Sequence, residues 1–187
     1  MKAGEALDRF IVERPRRVLD IGSGRGEHAI IMREAGLTVT GIDLGYEPDI
    51  RGDYMAVECG LYDAIWCSHV LEHCPNMGEF LAKVRRDLES GGLLGITVPP
   101  LRHRLVGGHI NLFTEGTLVY NLILAGFDCA KARVGVYGYN ISVLVRHVPA
   151  GLPDDLAYDK GDIERLAKFF PWPVHQAIDG RLGSVRW

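Results

Sequence analysis

Apolar positions recur along this chain at two alternating periods, near 3.6 and near 2, and the alternation predicts an α/β layout. Ala6, Leu7, Phe10 and Ile11 fall at helical spacing, which predicts a short amphipathic helix ending near Pro15. Arg17-Val18-Leu19-Asp20-Ile21 reads as a buried strand, broken by Gly22-Ser23-Gly24-Arg25-Gly26. His28 to Ala35 reads as a helix stopped by Gly36, and Leu37 to Ile42 as a second strand ending at Asp43. Strand, glycine turn, helix and strand make a βαβ unit with a parallel pair.

Only nine residues separate Asp43 from Asp53, too few for a full crossover helix. A short connection therefore leads to a third strand, expected near Asp53 to Val57, and Tyr62 to Ser68 is the fourth. Asn76 and Glu79 stand at capping-box spacing before the apolar stripe Phe80, Leu81, Val84 and Leu88. Gly91-Gly92 is expected to end that helix, and Leu93 to Val98 is the fifth strand, stopped by Pro99-Pro100. Thr114 is the expected N-cap of a helix carrying Leu118, Val119, Leu122 and Ile123 up to Gly126. Phe127 to Tyr137 and Ile141 to Val148 flank the turn residues Gly138 and Asn140, so they are expected to pair antiparallel. After Pro149 the character changes: a short helix over Ile163 to Phe170 leads through Pro171-Trp172-Pro173 to a glycine-rich tail ending at Trp187. The division expected is a domain over residues 1–150 and an appendage over 151–187.

Composition narrows the function. A chain of 187 residues with 47% hydrophobic and 24% charged residues is an ordinary globular domain. A net charge of −3 offers no overall attraction to nucleic acid or an anionic membrane, and no apolar run is long enough to span a bilayer. The opening residues are interrupted by Glu5, Asp8, Arg9 and Glu13, unlike a signal peptide. Cys59, Cys67, Cys74 and Cys129 show no paired C-x-x-C spacing, so reduced thiols in a cytoplasmic protein are expected, without a zinc site or disulfide framework.

The glycine turn carries the strongest chemical signal. It stands at the carboxyl edge of a parallel sheet, where open α/β folds bind ligands, and glycine lets backbone approach a ligand closely. Dinucleotide binders need G-x-G-x-x-G, but the third glycine position is Glu27 here. Carboxylates at Asp20 and Glu27 disfavour a pyrophosphate and suit a ligand with an amino group and a sulfonium. Asp43 follows the second strand 17 residues after Gly26, where a carboxylate accepts hydrogen bonds from both hydroxyls of a ribose.

VLDIGSGRGEHAI, VTGIDLG, YDAIWCSHVLEHCPN and LESGGLLGITVPP, in that order and spacing, resemble the class I S-adenosylmethionine-dependent methyltransferase family over about residues 15 to 148. The resemblance implies a doubly wound, Rossmann-like sheet of seven strands in the order 3-2-1-4-5-7-6, with strand 7 antiparallel. It implies S-adenosyl-L-methionine as cofactor, its methionine part held by Asp20, Gly22, Ser23, Gly24 and Gly26. Asp43, with Leu44 beside it, matches the ribose acid, and Asp53 the adenine-contacting acid, with Tyr54 and Met55 alongside. Cys67, Ser68 and His69 match the segment that lines the cofactor after the fourth strand.

Methyl transfer from a sulfonium needs positioning, desolvation and, for a hydroxyl acceptor, a base; no metal is required. His69, His73, His103 and His109 all follow the fourth or fifth strand, and His109 or His69 is the expected base. Arg102 and Arg104 suit a phosphate or carboxylate of the acceptor, although a solvated surface ranks ahead. Val98-Pro99-Pro100-Leu101 lacks the Asn/Asp and the aromatic of the amino-methylating DNA enzymes. Phe169, Phe170, Trp172 and Trp187 form a lid, a homodimer contact or extra core, with packing the default. The function expected is methyl transfer to a small-molecule or glycan-like acceptor, at oxygen, for which HINLFTEGTL and VPP…H add a fainter likeness to enzymes of polysaccharide and secondary-metabolite pathways. The alternatives are a methyltransferase-like module that binds without catalysis and a nicotinamide-dependent dehydrogenase, which Glu27 disfavours.

Overall fold

A computed structural model describes residues 3–102 and 106–174; His103, Arg104 and Trp187 lie outside the described residues. The elements are α1 (Gly4–Val12), β1 (Arg17–Ile21), α2 (Glu27–Glu34), β2 (Thr38–Asp43), β3 (Ile50–Arg51) and β4 (Tyr62–Ser68). They continue with a 3-10 turn (Leu71–His73), α3 (Met77–Asp87), β5 (Leu88–Val98) and α4 (Glu115–Leu124). β6 (Arg133–Tyr137), β7 (Asn140–Arg146), α5 (Lys160–Leu166) and a last 3-10 turn (Ala167–Phe169) complete the described chain. One seven-stranded sheet runs β3-β2-β1-β4-β5-β7-β6, and β7 is antiparallel to both neighbours, as the resemblance implied.

Period-2 alternation on the central strands sends side chains into two layers. Leu19, Ile21, Ile65 and Cys67 pack with Phe80, Leu81 and Val84 of α3 and with Leu118, Val119, Leu122 and Ile123 of α4. Val18, Ala64 and Trp66 pack on the other face with Ala6, Leu7 and Phe10 of α1 and Ala29 and Met32 of α2. Trp66 satisfies its buried indole N–H on His28 Nδ1 at 3.0 Å. Helix entries follow the sequence signals: Asn76 Oδ1 accepts from Glu79 N–H, and Thr114 forms a reciprocal capping box with Thr117. Beyond residue 150, Leu166, Phe169 and Phe170 are buried in the first layer, and the Phe170 ring stacks on Tyr120 of α4 at 6.1 Å.

Three boundaries differ from the sequence expectation. The third strand is Ile50–Arg51, not Asp53 to Val57. Asp49 accepts from Gly41 N–H at 2.7 Å and pairs with Arg33 at 2.5 Å, which returns the chain to the sheet edge early. Gly52 N–H then bonds Asp43 C=O, and the Asp53 carboxylate caps the Met55 N–H, so residues 53–57 form a turn. Leu88 is extended and pairs with Tyr62 instead of ending the helix. Gly91-Gly92 lie within β5, where the register shifts between Tyr62 and Ala64; a Cβ at Gly92 would come within 2.8 Å of Glu89 C=O. β6 begins at Arg133, because Asp128 caps Ala130 N–H and turns the chain first.

One buried network ties the 53–57 turn to α3. Lys83 Nζ lies 2.6 Å from Asp87 Oδ2, the Tyr54 hydroxyl donates to the same oxygen at 2.9 Å, and Lys83 sits 4.5 Å from the Tyr54 ring centre. Removing one member of a buried ion pair leaves a charge without compensation. Lys83→Met is expected to lower the unfolding free energy by about 3 kcal/mol, read as a downward shift of the urea midpoint. A loss below about 1 kcal/mol, the scale of a surface pair, would show that the network does not hold this wall.

Candidate functional site

β1 delivers its last residue into a turn that the neighbouring strand holds. Gly22 and Ser23 N–H both donate to Ile42 C=O, and Gly26 N–H closes the turn on Ser23 C=O at 2.8 Å. Gly22, Gly24 and Gly26 all have positive φ, +69°, +55° and +78°. A Cβ at Gly22 would meet Val70 Cγ2 at 2.2 Å, whereas one at Gly24 or Gly26 would meet nothing within 4 Å. The first glycine is thus required by packing, and the other two face open space.

Asp43 locks this turn from the adjacent strand. Its Oδ2 accepts from Gly24 N–H at 2.9 Å and its Oδ1 from Gly45 N–H at 2.8 Å. Each carboxylate oxygen keeps a further lone pair. Asp20 sits differently: it is 2% exposed, and its Oδ2 is buried without a partner. Burial pushes its carboxyl up to about 7, with Arg33 opposing and Asp43 adding to the shift.

A crevice of about 640 Å³, within the usual range for small-ligand sites, opens along the ends of β1, β2 and β4. Ile21, Gly22, Ile42, Asp43, Leu44, Asp53, Tyr54, Met55, His69 and Val70 are among its walls. Its lining includes the carboxylates of Asp43, Asp53 and Glu79 and, among the described residues, no lysine or arginine. Such a set suits a cationic, hydroxyl-bearing ligand and offers nothing to neutralise a phosphate. The expected residues do not all converge here. Leu44 is 72% exposed at the mouth, and the Tyr54 hydroxyl points away to Asp87. Ser23, Gly24 and Gly26 line a second cavity of about 410 Å³ on the α2 side of the same turn. Cys67 is buried in the core with its thiol pushed up by desolvation, and neither it nor Ser68 lines a cavity.

The far end of the crevice is a histidine cluster. His69 adopts φ +59°, and its N–H bonds Thr97 C=O at 2.8 Å. Its Nδ1 lies 3.2 Å from Glu72 Oε1 and its Nε2 3.0 Å from Asn140 Oδ1. The Asn140 amide donates to Tyr137 C=O, and each His69 ring nitrogen has a side-chain oxygen within hydrogen-bond distance. His69, one of the two expected bases, thus has both ring nitrogens engaged by neighbouring side chains. The His109 ring makes no hydrogen bond among the described residues and lies edge-on to His73 at 5.0 Å. The Tyr139 ring stacks on His69 at 6.3 Å, and Arg102 lies 4.8 Å from the Tyr139 ring centre. Sequence reasoning missed Glu72, Tyr139 and Asn140. Asn140 was read as a turn residue and Glu72 lay inside a quoted segment, but their contacts with His69 span up to 71 positions.

The family model described as a methyltransferase domain matches residues 2–132. The ubiquinone biosynthesis O-methyltransferase of Escherichia coli O139:H28 is 32% identical over 96 residues, covering 41% of this chain and 40% of that protein. The chain thus spans about two fifths of the length of the curated relatives it matches. The structure of Burkholderia thailandensis 1,6-didemethyltoxoflavin-N1-methyltransferase, with bound 1,6-didemethyltoxoflavin and S-adenosylhomocysteine, superposes with a TM-score of 0.64 at 24% identity, over 76% of each chain. A SAM-dependent methyltransferase from Archaeoglobus fulgidus gives a TM-score of 0.64 at 17% identity, over 76% of this chain and 91% of that one. At these identities the two structures share the fold.

The raised carboxyl of Asp20 makes a stability prediction. Its folded value near 7 lies above the unfolded value of 3.8, so the folded chain binds the extra proton between those limits. Stability from this group is therefore highest below about pH 4 and declines as pH rises toward 7. Asp20→Asn is expected to flatten that decline, measured as urea unfolding free energy from pH 4.5 to 7.5. Parallel curves for the two proteins would show that Asp20 is ionised throughout.

Proposed function

Because the chain belongs to the methyltransferase domain family, we propose that it transfers the methyl group of S-adenosylmethionine to a small-molecule or glycan-like acceptor, at oxygen. The fold is that of the class I enzymes. The observation that carries the cofactor reading is the crevice itself: carboxylates, the positive-φ Gly22 and apolar walls, with no lysine or arginine among the described lining residues. Bound there, S-adenosylmethionine supplies an activated methyl group on a cationic sulfur.

In this reading Asp43 takes both ribose hydroxyls on lone pairs that Gly24 and Gly45 leave free. Asp53 contacts the adenine amino group, with Leu44, Met55 and an edge of Tyr54 as apolar neighbours. Gly22, Ser23, Gly24 and Gly26 present backbone to the methionine end, and Asp20 acts on that end from beneath the turn. Cys67 and Ser68 contribute by fixing the backbone before His69.

The acceptor enters at the histidine end. Tyr139, His69, Asn140 and Arg102 combine ring faces with hydrogen-bonding groups, which suits a hydroxylated ring. His109 is the group there with ring nitrogens uncommitted among the described residues, and so the one to take a hydroxyl proton. Oxygen as the acceptor atom also draws on the curated relatives, which are named as O-methyltransferases. The occupied nitrogens of His69 favour one second reading, a module that binds cofactor without turnover.

Calorimetric titration separates the cofactor classes. S-adenosylmethionine and S-adenosylhomocysteine are expected to bind and NAD is not. Asp43→Ala is expected to weaken both sulfur ligands by about 1–3 kcal/mol, the cost of leaving hydroxyl partners unpaired. Wild-type affinity in that variant would overturn the ribose assignment, and NAD binding alone would overturn the cofactor.

A further inference from the structure

His109 lies 36 positions beyond His73 and its neighbour Glu72, yet each of the three offers a ligand atom within 4.8 Å of the other two. Two features set this cluster apart from a surface gathering of polar groups. Glu72 is 0% exposed, and its Oε2 is buried without a hydrogen-bond partner, an expensive state for a carboxylate in the absence of a cation. His73 Nδ1 lies 2.7 Å from Gly108 C=O, so that nitrogen carries the hydrogen and Nε2 presents its lone pair, 4.0 Å from Glu72 Oε1. A carbonyl that fixes the tautomer from behind is the usual support of a metal-binding imidazole.

We propose that Glu72, His73 and His109 form a binding site for a divalent transition-metal ion of the zinc class, at the acceptor end of the crevice. Two imidazoles and a carboxylate make a three-ligand set that leaves positions open for a water or an acceptor oxygen. Bonds of about 2.1 Å place ligand atoms roughly 3 to 4 Å apart, so the Glu72–His73 pair already fits and His109 closes by a small ring movement. The frame is fixed by backbone: Ile110 and Asn111 N–H both donate to Glu72 C=O, and Asn111 Nδ2 donates to Leu71 and Cys74 C=O. His69 holds Glu72 Oε1 from the other side.

The use of the ion rests on the methyltransferase reading, although the site itself does not. An acceptor hydroxyl bound to the ion gives its proton to water, and its oxygen then forms the C–O bond. The C–S bond breaks with the electron pair left on sulfur, and the ion is unchanged. His109 is then a ligand and not the base.

Titration of the EDTA-stripped, dialysed protein with Co2+, followed by visible absorption, tests the site. One saturating ion per chain is expected, without the intense ultraviolet band of thiolate coordination by Cys59 or Cys74. His109→Ala and Glu72→Gln should each weaken Co2+ binding at least tenfold, and Zn2+ should displace the Co2+ spectrum. His109 does not line the cofactor crevice, so S-adenosylhomocysteine affinity should stay within twofold in His109→Ala, which also shows that the variant is folded. Absence of a saturable Co2+ spectrum, or unchanged binding in His109→Ala, would overturn the proposal while S-adenosylhomocysteine binding left the methyltransferase reading intact. A wild-type chain that binds Co2+ but not S-adenosylhomocysteine would keep the site and remove its proposed use.

Discussion

The bond between the Asp43 carboxylate and the Gly24 amide is the constraint from which the site follows. It joins the end of β2 to the turn after β1 across 19 residues, and the same carboxylate fixes the chain's exit through Gly45. A carboxylate offers about four lone-pair directions, and two are used here. The group that shapes the turn is therefore also prepared to receive two hydroxyls without rearranging. Had the turn been held by side-chain packing alone, ligand binding would compete with its support.

Charge then selects among nucleotide-like ligands. The Rossmann arrangement at the carboxyl edge of a parallel sheet is shared by dinucleotide binders, which place a pyrophosphate on a helix N-terminus. α2 begins with Glu27, and the crevice adds three carboxylates with no lysine or arginine among its described lining residues. Each phosphate charge would enter a field of its own sign, whereas a sulfonium and an ammonium would be drawn in. Asp20 extends this field beneath the turn, where burial leaves it poised near neutrality. The same backbone frame thus serves different ligands according to its carboxylates.

The glycine turn and Asp43 were legible in sequence because local pattern specifies them, a buried strand, an obligatory break and an acid at the next strand end, whereas the strand order followed from the family resemblance. The third strand was misplaced because its position depends on Asp49 reaching back to Gly41 and Arg33, a contact that hydropathy does not record. Gly91-Gly92 resembled a helix stop, yet the pair serves a shift of register inside a strand. The role of His69 was legible only in part. Its place after the fourth strand could be read, but the partners of its two ring nitrogens come from the next turn and from the distant start of β7. Glu72 stood in the quoted segment, and nothing in the sequence distinguished a buried, half-partnered carboxylate from a solvated one.

The histidine end of the crevice shows where the chain concentrates its hydrogen-bonded support. In-line methyl transfer gains most from orientation, since the leaving group arrives activated. The segment around His109 is tied to the 71–74 turn by four backbone-directed hydrogen bonds, two to Glu72 and two from Asn111. That turn follows His69, whose left-handed backbone is pinned to β5 through Thr97. The backbone strain at His69 and the buried, unpartnered oxygen of Glu72 are both costs to stability, and both fall within reach of the same few side chains. Costs placed together at the end of a crevice, and supported from the sheet by hydrogen bonds, are better explained by a demand for fixed geometry at a ligand than by packing. The residues that make this end of the crevice expensive are thus the ones that fix its geometry.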